Sequence, residues 1–158
     1  MIIRRLLEKD REELRKLVTE FYVGNKKTYS KTLQDFEEYT DNKKVVEETV
    51  SKYFSDKKYI LFVAEENNIL LGYICGLIIQ KPPHKKLNKE GYIQDWFVSI
   101  PYRGKEIGMQ LFNKILNQFK NEGSTHIGLD TFAENKNAMD IYEKLGFYKR
   151  LVSFVKKT

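Results

Sequence analysis

The order of apolar and polar positions divides the chain into helical and strand-like stretches. Leu14, Leu17, Val18 and Phe21 recur at helical spacing, and Asp10 with Glu13 three residues later forms a capping-box-like start to that helix. Ser30 to Phe54 predicts a second, less regular helical region in which Val46, Val50, Tyr53 and Phe54 share a face. Glu37, Glu38, Asp41, Glu47 and Glu48 make that region locally acidic and a candidate to face a substrate. Runs rich in β-formers cover Ile2 to Arg5, Tyr59 to Ala64 and Leu70 to Ile79, and Asn67-Asn68 between the last two predicts an antiparallel hairpin. Tyr92 to Val98 is apolar and aromatic apart from Gln94 and Asp95, the pattern of a central strand covered on both faces. Ile107, Leu111, Phe112, Ile115 and Phe119 mark the stripe of a helix that Gly123 closes. Thr125 to Phe132 reads as a strand, Asn135 as the cap of a short helix carrying Ala138, Ile141, Tyr142 and Leu145, and Phe147 to Val155 as a last strand. The elements add up to one mixed α/β domain over residues 1–158 with about four helices.

Composition narrows this picture without changing it. The chain has 158 residues, of which 41% are hydrophobic, 32% charged and 13% aromatic, enough for a packed core and against disorder or a coiled coil. No apolar run approaches the roughly 20 residues that span a bilayer. Met1-Ile2-Ile3-Arg4-Arg5-Leu6 runs into charge and not into the apolar stretch of a signal peptide, so a cytoplasmic protein is expected. Cys75 has no second cysteine to pair with, and with His84 and His126 alone beside it no structural zinc site can be built, so no metal is expected. Cys75 and His126 read as core and strand residues. The net charge of +6 suits a phosphate-bearing ligand, but the basic residues are spread along the chain. Their one local cluster, Lys81, Lys85, Lys86 and Lys89 around Pro82-Pro83, reads as a solvated loop, and neither nucleic acid nor membrane is expected as a partner.

The stretch that points to chemistry is Trp96-Phe97-Val98-Ser99-Ile100-Pro101-Tyr102-Arg103-Gly104-Lys105-Glu106-Ile107-Gly108, a buried strand that turns and enters a helix through a glycine-containing basic segment. The first N–H groups of a helix lack intrahelical acceptors and carry the positive end of its dipole, so this geometry favours an anion. The Gly-x-Gly-x-x-Gly dinucleotide spacing and the P-loop signature are both absent.

Arg103-Gly104-Lys105-Glu106-Ile107-Gly108 resembles the Arg/Gln-x-x-Gly-x-Gly/Ala pyrophosphate loop of the Gcn5-related N-acetyltransferase (GNAT) family. Asn135-x-x-Ala138 followed by Ile141-Tyr142-Glu143-Lys144-Leu145-Gly146-Phe147 is similar to that family's second signature, in the family's order. The resemblance implies a mostly antiparallel central sheet whose middle strands splay apart around the pantetheine arm of acetyl-CoA. It further implies that Phe97, Val98 and Ser99 contact the acyl-pantetheine through their backbone, with an N–H near Val98 polarising the thioester carbonyl. Arg103, Gly104, Lys105, Glu106, Ile107 and Gly108 would hold the phosphates, Asn135 would face the pantetheine, and the Tyr142 hydroxyl would reach the leaving thiolate. Glu106 departs from the family pattern, standing where a glycine is usual. Its side chain can project from a helix, but its carboxylate would repel a pyrophosphate.

Asp95 is a carboxylate inside an apolar strand, where an unpaired charge is costly. It is either held by a structural ion pair or a hydrogen bond to a neighbouring loop, or serves as a base or an anchor for a substrate ammonium. Gln94-Asp95-Trp96-Phe97-Val98 is similar to the Glu-Asp-aromatic-aromatic-Val stretch of the diamine and polyamine acetyltransferase branch, with Gln94 in place of the glutamate. The reading is therefore an acetyl-CoA-dependent N-acetyltransferase acting directly on the primary amine of a small molecule or peptide, with Tyr142 and Asp95 catalytic. The alternative is a non-catalytic acyl-CoA-binding module, and a homodimer is compatible with either. Tyr29, Tyr39, Tyr53 and Tyr59 serve core packing or line an acceptor pocket.

Overall fold

A computed structural model describes residues 1–26 and 29–158. The elements run β1 (Ile2–Arg5), a 3-10 turn (Glu8–Asp10), α1 (Arg11–Lys26), α2 (Lys31–Glu37), α3 (Asn42–Ser55), β2 (Ile60–Glu66), β3 (Ile69–Gln80), β4 (Lys89–Val98), a second 3-10 turn (Ile100–Tyr102), α4 (Ile107–Asn121), β5 (His126–Leu129) and α5 (Lys136–Lys144). The five strands lie in sequence order in one sheet. β1 to β4 pair antiparallel, as the hairpin reading requires, and β5 joins β4 in parallel.

Among the described residues five α-helices form where about four were expected, because the region from Ser30 to Phe54 contains two helix starts. The Ser30 hydroxyl accepts from the Leu33 N–H to cap α2, and the Asp41 carboxylate accepts from the Lys44 N–H to cap α3. Asp10 does not cap α1 with Glu13. Its buried carboxylate takes the Leu7 N–H at 2.8 Å and the Arg4 guanidinium at 2.6 and 2.8 Å, tying β1 to the turn, while Glu13 pairs with Lys16.

Alternation along β2 explains its continuous apolar run. Leu61 and Val63 face α1 and α3, where Leu14, Val18, Val50, Tyr73, Cys75 and Phe97 close one core. Phe62 and Ala64 face α4, whose Ile107, Leu111, Phe112, Ile115 and Phe119 close the other. The sheet is thus covered on both faces, as its apolar strands predict. Gly91 on β4 lets Phe119 lie against the strand, since a Cβ there would meet the ring at 2.4 Å.

The expected last strand, Phe147 to Val155, does not form. Residues from Phe147 onward are neither helix nor strand, and Tyr148 and Phe154 are 94% and 91% exposed. A β-rich sequence becomes a strand only where a ladder accepts it, and the adjacent edge strand β5 is four residues long.

Candidate active site

β4 is the element around which the site is built. Its ten residues pair with β3 along their length, but with β5 only from Glu90↔His126 to Ile93↔Leu129. From Gln94 to Val98 the edge turned toward β5 has no strand partner, which is the splay that the family resemblance implies. A bulge lies at the same place. The β3 partner of Asp95 is Cys75 and that of Ile93 is the next residue, Gly76, so Gln94 is the extra residue. The bulge leaves Gln94 exposed and turns Asp95 into the core.

The strand leads into the candidate phosphate loop. Gly104 and Glu106 both have positive φ, +78° and 59°. Glu106 is thus not an outward-pointing helical residue. It is the left-handed N-cap of α4, a conformation that favours glycine. The first intrahelical bond of α4 runs from the Gln110 N–H to the Glu106 carbonyl, leaving the Ile107, Gly108 and Met109 N–H groups without an intrahelical acceptor. Gly104 has nothing within 4 Å of where a Cβ would stand, so the loop's outer side is open. Lys105 adds an exposed cation beside the Tyr102 ring. Ile107 is buried and anchors the helix, and Gly108 rests on Trp96, whose Nε1 donates to the Gly108 carbonyl at 3.1 Å. This cradle of free N–H groups beside a cation fits a pyrophosphate. Glu106 adds a carboxylate to the same loop.

Other expected contacts are occupied. The Arg103 Nε donates to the Val98 carbonyl at 2.9 Å and its guanidinium lies over the Phe97 ring, so it covers the end of the strand instead of the loop. The Ser99 N–H donates to Leu71, which leaves that N–H unavailable to a ligand, and the Ser99 carbonyl accepts from Tyr102. Phe97 packs into the α1 and α3 core. Val98 is half-buried at the mouth of the splay.

Asp95 has no cationic partner among the described residues. Its Oδ2 accepts from the Tyr53 hydroxyl at 2.5 Å and the Tyr73 hydroxyl at 3.0 Å, and the residue is 6% exposed. Burial pushes its pKa above the ordinary aspartate value, and the two phenol hydrogen bonds offset only part of that. Burial and the nearby carboxylate push both phenols up. Among the described residues Asp95 thus makes hydrogen bonds and no ion pair, and its bonding partners come from α3 and β3, not from a loop. Tyr53 was singled out in the sequence as a core or pocket residue; Tyr73 had no signal beyond lying in an apolar run.

Tyr142 on α5 stacks on Trp96, with ring centroids 6.1 Å apart, and meets Phe147 edge-on. Its hydroxyl has no hydrogen-bond partner among the described residues, and burial pushes its pKa up. Asn135 caps α5, its Oδ1 accepting from the Ala138 N–H at 3.3 Å. One long-range tie was not legible in the sequence. The Glu134 carboxylate takes both the Ser30 N–H and hydroxyl, at 2.5 and 2.6 Å, and Tyr29 packs against Phe132. Tyr53, which donates to Asp95, packs against Tyr59. Tyr39 lies against Tyr22 at the surface.

The sequence profile of the acetyltransferase (GNAT) family matches residues 11–147. N-alpha-acetyltransferase 30 of Schizosaccharomyces pombe is 36% identical over 95 residues, 59% of this chain, and the match spans about three fifths (61%) of that relative's length. Among solved structures, the BH1408 protein of Bacillus halodurans superimposes with a TM-score of 0.85 at 23% identity, over 100% of this chain and 99% of that one. Aminoglycoside N-acetyltransferase AAC(6')-Iy in complex with CoA superimposes at 0.69 and 17% identity, over 99% of this chain and 100% of that one. The structures show a shared fold.

Proposed function

Because the chain belongs to the acetyltransferase (GNAT) family, we propose that it transfers an acetyl group from acetyl-CoA directly to a primary amine, with a peptide α-amine as the acceptor class. The single observation that carries this reading is the unpaired edge of β4 from Gln94 to Val98, which ends at a helix N-terminus with free N–H groups. An extended amide chain can add to such an edge while its phosphates sit on the loop. The likeness to N-alpha-acetyltransferase 30 supports the peptide amine over other acceptors.

Acetyl-CoA supplies a thioester carbonyl and a thiolate leaving group. Gly104, Lys105, Glu106, Ile107 and Gly108 hold the phosphates through backbone N–H groups, and Arg103 leaves the Val98 carbonyl to join them. An N–H near Val98 stabilises charge on the carbonyl oxygen. Asn135 orients the pantetheine arm, beside which Tyr142 offers an unengaged hydroxyl. With its pKa raised, Tyr142 is a weak acid, so it serves the thiolate chiefly as a hydrogen-bond donor. The ammonium must lose a proton before it attacks, and Asp95 is the carboxyl whose pKa moves in the direction a base requires. Because Asp95 is buried, it receives that proton through a hydroxyl bonded to it, that of Tyr53, the less buried of its two phenol partners.

Thiol release from acetyl-CoA with a panel of peptides, aminoglycosides, amino sugars and polyamines tests this reading. Turnover is expected with free peptide N-termini, and to vanish when the N-terminus is blocked. Saturable CoA binding with no turnover on any amine would instead establish the acyl-CoA-binding module, a second reading that the strained, acidic Glu106 favours.

A further inference from the structure

The far end of β4 carries a second concentration of charge that acetyl transfer does not use. Lys81, Lys85, Lys86, His126 and Arg150 line a recess of about 570 Å³, a volume within the range of small-ligand sites. Three separate segments deliver these residues: the β3–β4 loop, the start of β5 and the chain after α5. Three of these residues, Lys81, His126 and Arg150, converge on Glu90, which is 0% exposed. The Glu90 Oε2 lies 2.6 Å from the Lys81 Nζ, and Oε1 lies 3.3 Å from an Arg150 guanidinium nitrogen and 3.6 Å from the His126 Nε2. Room for this carboxylate is made by Gly128 on β5, where a Cβ would stand 2.2 Å from Oε1.

One carboxylate set against Lys81, Lys85, Lys86 and Arg150 leaves three positive charges uncompensated. Lys85 and Lys86 have no carboxylate partner among the described residues. A merely solvated loop would spread its lysines apart, whereas these border one recess in which Lys81 and Arg150 are held by the buried Glu90 and Lys85 and Lys86 are left to a ligand.

We propose that this recess binds a phosphorylated small molecule carrying two or more phosphate groups, at a site separate from the acetyl-CoA loop. Lysine ammoniums meet phosphate oxygens as point charges, and the Arg150 guanidinium offers a bidentate fork. Glu90 and Val98 are eight residues apart on one strand, about 26 Å at roughly 3.3 Å per residue, so one ligand does not serve both sites. The cations come from three segments onto one local recess and do not form a stripe along an element, which suits a small molecule and not an extended polyanion.

Calorimetric titration of the full chain with inorganic tripolyphosphate, in the absence of CoA and again at saturating CoA, tests the proposal. One saturable binding event should survive CoA and weaken as salt is added. The Lys85→Ala/Lys86→Ala variant, altered only on an exposed loop, should melt like the parent and bind at least roughly tenfold more weakly. Arg150→Ala should also weaken binding, and Lys16→Ala, on α1, should not. Tripolyphosphate binding that CoA abolishes, or that the double variant leaves unchanged, overturns the proposal. A glutamate-rich peptide that binds this recess more tightly than tripolyphosphate overturns it in favour of an acidic protein partner. None of these outcomes depends on whether an amine is acetylated.

Discussion

The two ends of β4 bury two carboxyl groups five residues apart and treat them in opposite ways. Glu90 sits among cations. Burial opposes its ionisation, but the ion pair with Lys81, supported by Arg150 and His126, outweighs it and holds the carboxyl below its usual range. Asp95 sits among phenols, which donate hydrogen bonds but carry no charge, so burial wins and its carboxyl is pushed up. Burial alone therefore does not set the protonation of a carboxyl in a sheet. The charge of its nearest donors does.

The largest expected effect lies at the Val98 end, where Tyr142→Phe removes a hydroxyl and keeps the stack on Trp96. Turnover should fall roughly 10–10³-fold with a smaller change in CoA affinity. Steady-state kinetics alongside CoA calorimetry would show this, and unaltered turnover would make Tyr142 a packing residue.

Asp95→Asn keeps both phenol bonds feasible and deletes the titrating group. Turnover per folded molecule should drop roughly 10–10²-fold while stability stays within about 1 kcal/mol. The sign with pH is distinctive. Because its folded pKa is raised, Asp95 weakens the fold as pH climbs from its usual value near 3.8 through the raised value, and the asparagine variant should lose that slope. Normal turnover would leave Asp95 as the group that orients Tyr53 and Tyr73.

Glu90→Gln should leave turnover per folded molecule unchanged, in contrast to Asp95→Asn. Removing one member of a buried pair strands its partners, but Lys81 and Arg150 reach solvent, so the cost is about 1–3 kcal/mol at pH 7. With its folded pKa lowered, Glu90 contributes stability above its usual value near 4.5 and loses it as pH falls through the folded value. Urea denaturation at pH 7 and pH 3 should therefore show parent and variant converging in acid. A constant gap would mean that Glu90 acts by shape and not by charge.

Glu106→Gly carries the smallest effect. At φ 59° glycine relieves a left-handed strain, so the change should stabilise the chain by up to about 1 kcal/mol instead of imposing a helix cost. Removing a carboxylate from the cradle should also tighten CoA binding at low salt. Weaker binding by a folded variant would mean that the carboxylate is recruited by the ligand, through a cation.

The helical stripes of α1 and α4, the hairpin and the buried run of β4 were legible in the sequence, because periods of 3.6 and 2 record which faces meet a core. The order of the Arg103–Gly108 and Asn135–Phe147 motifs likewise determined the family and where its loop begins. Three things were decided only by the folded chain. The stretch from Phe147 to Val155 has strand composition but forms no ladder, since pairing depends on an edge elsewhere in the chain. Glu106 took a glycine conformation because the strand and α4 dictate the turn between them. The protonation of Asp95 and Glu90 depended on Tyr53, Tyr73, Lys81, His126 and Arg150, residues up to 60 positions away in the chain. A local pattern reports which side of an element is buried, and the field inside that burial is set by long-range contacts that no local pattern contains.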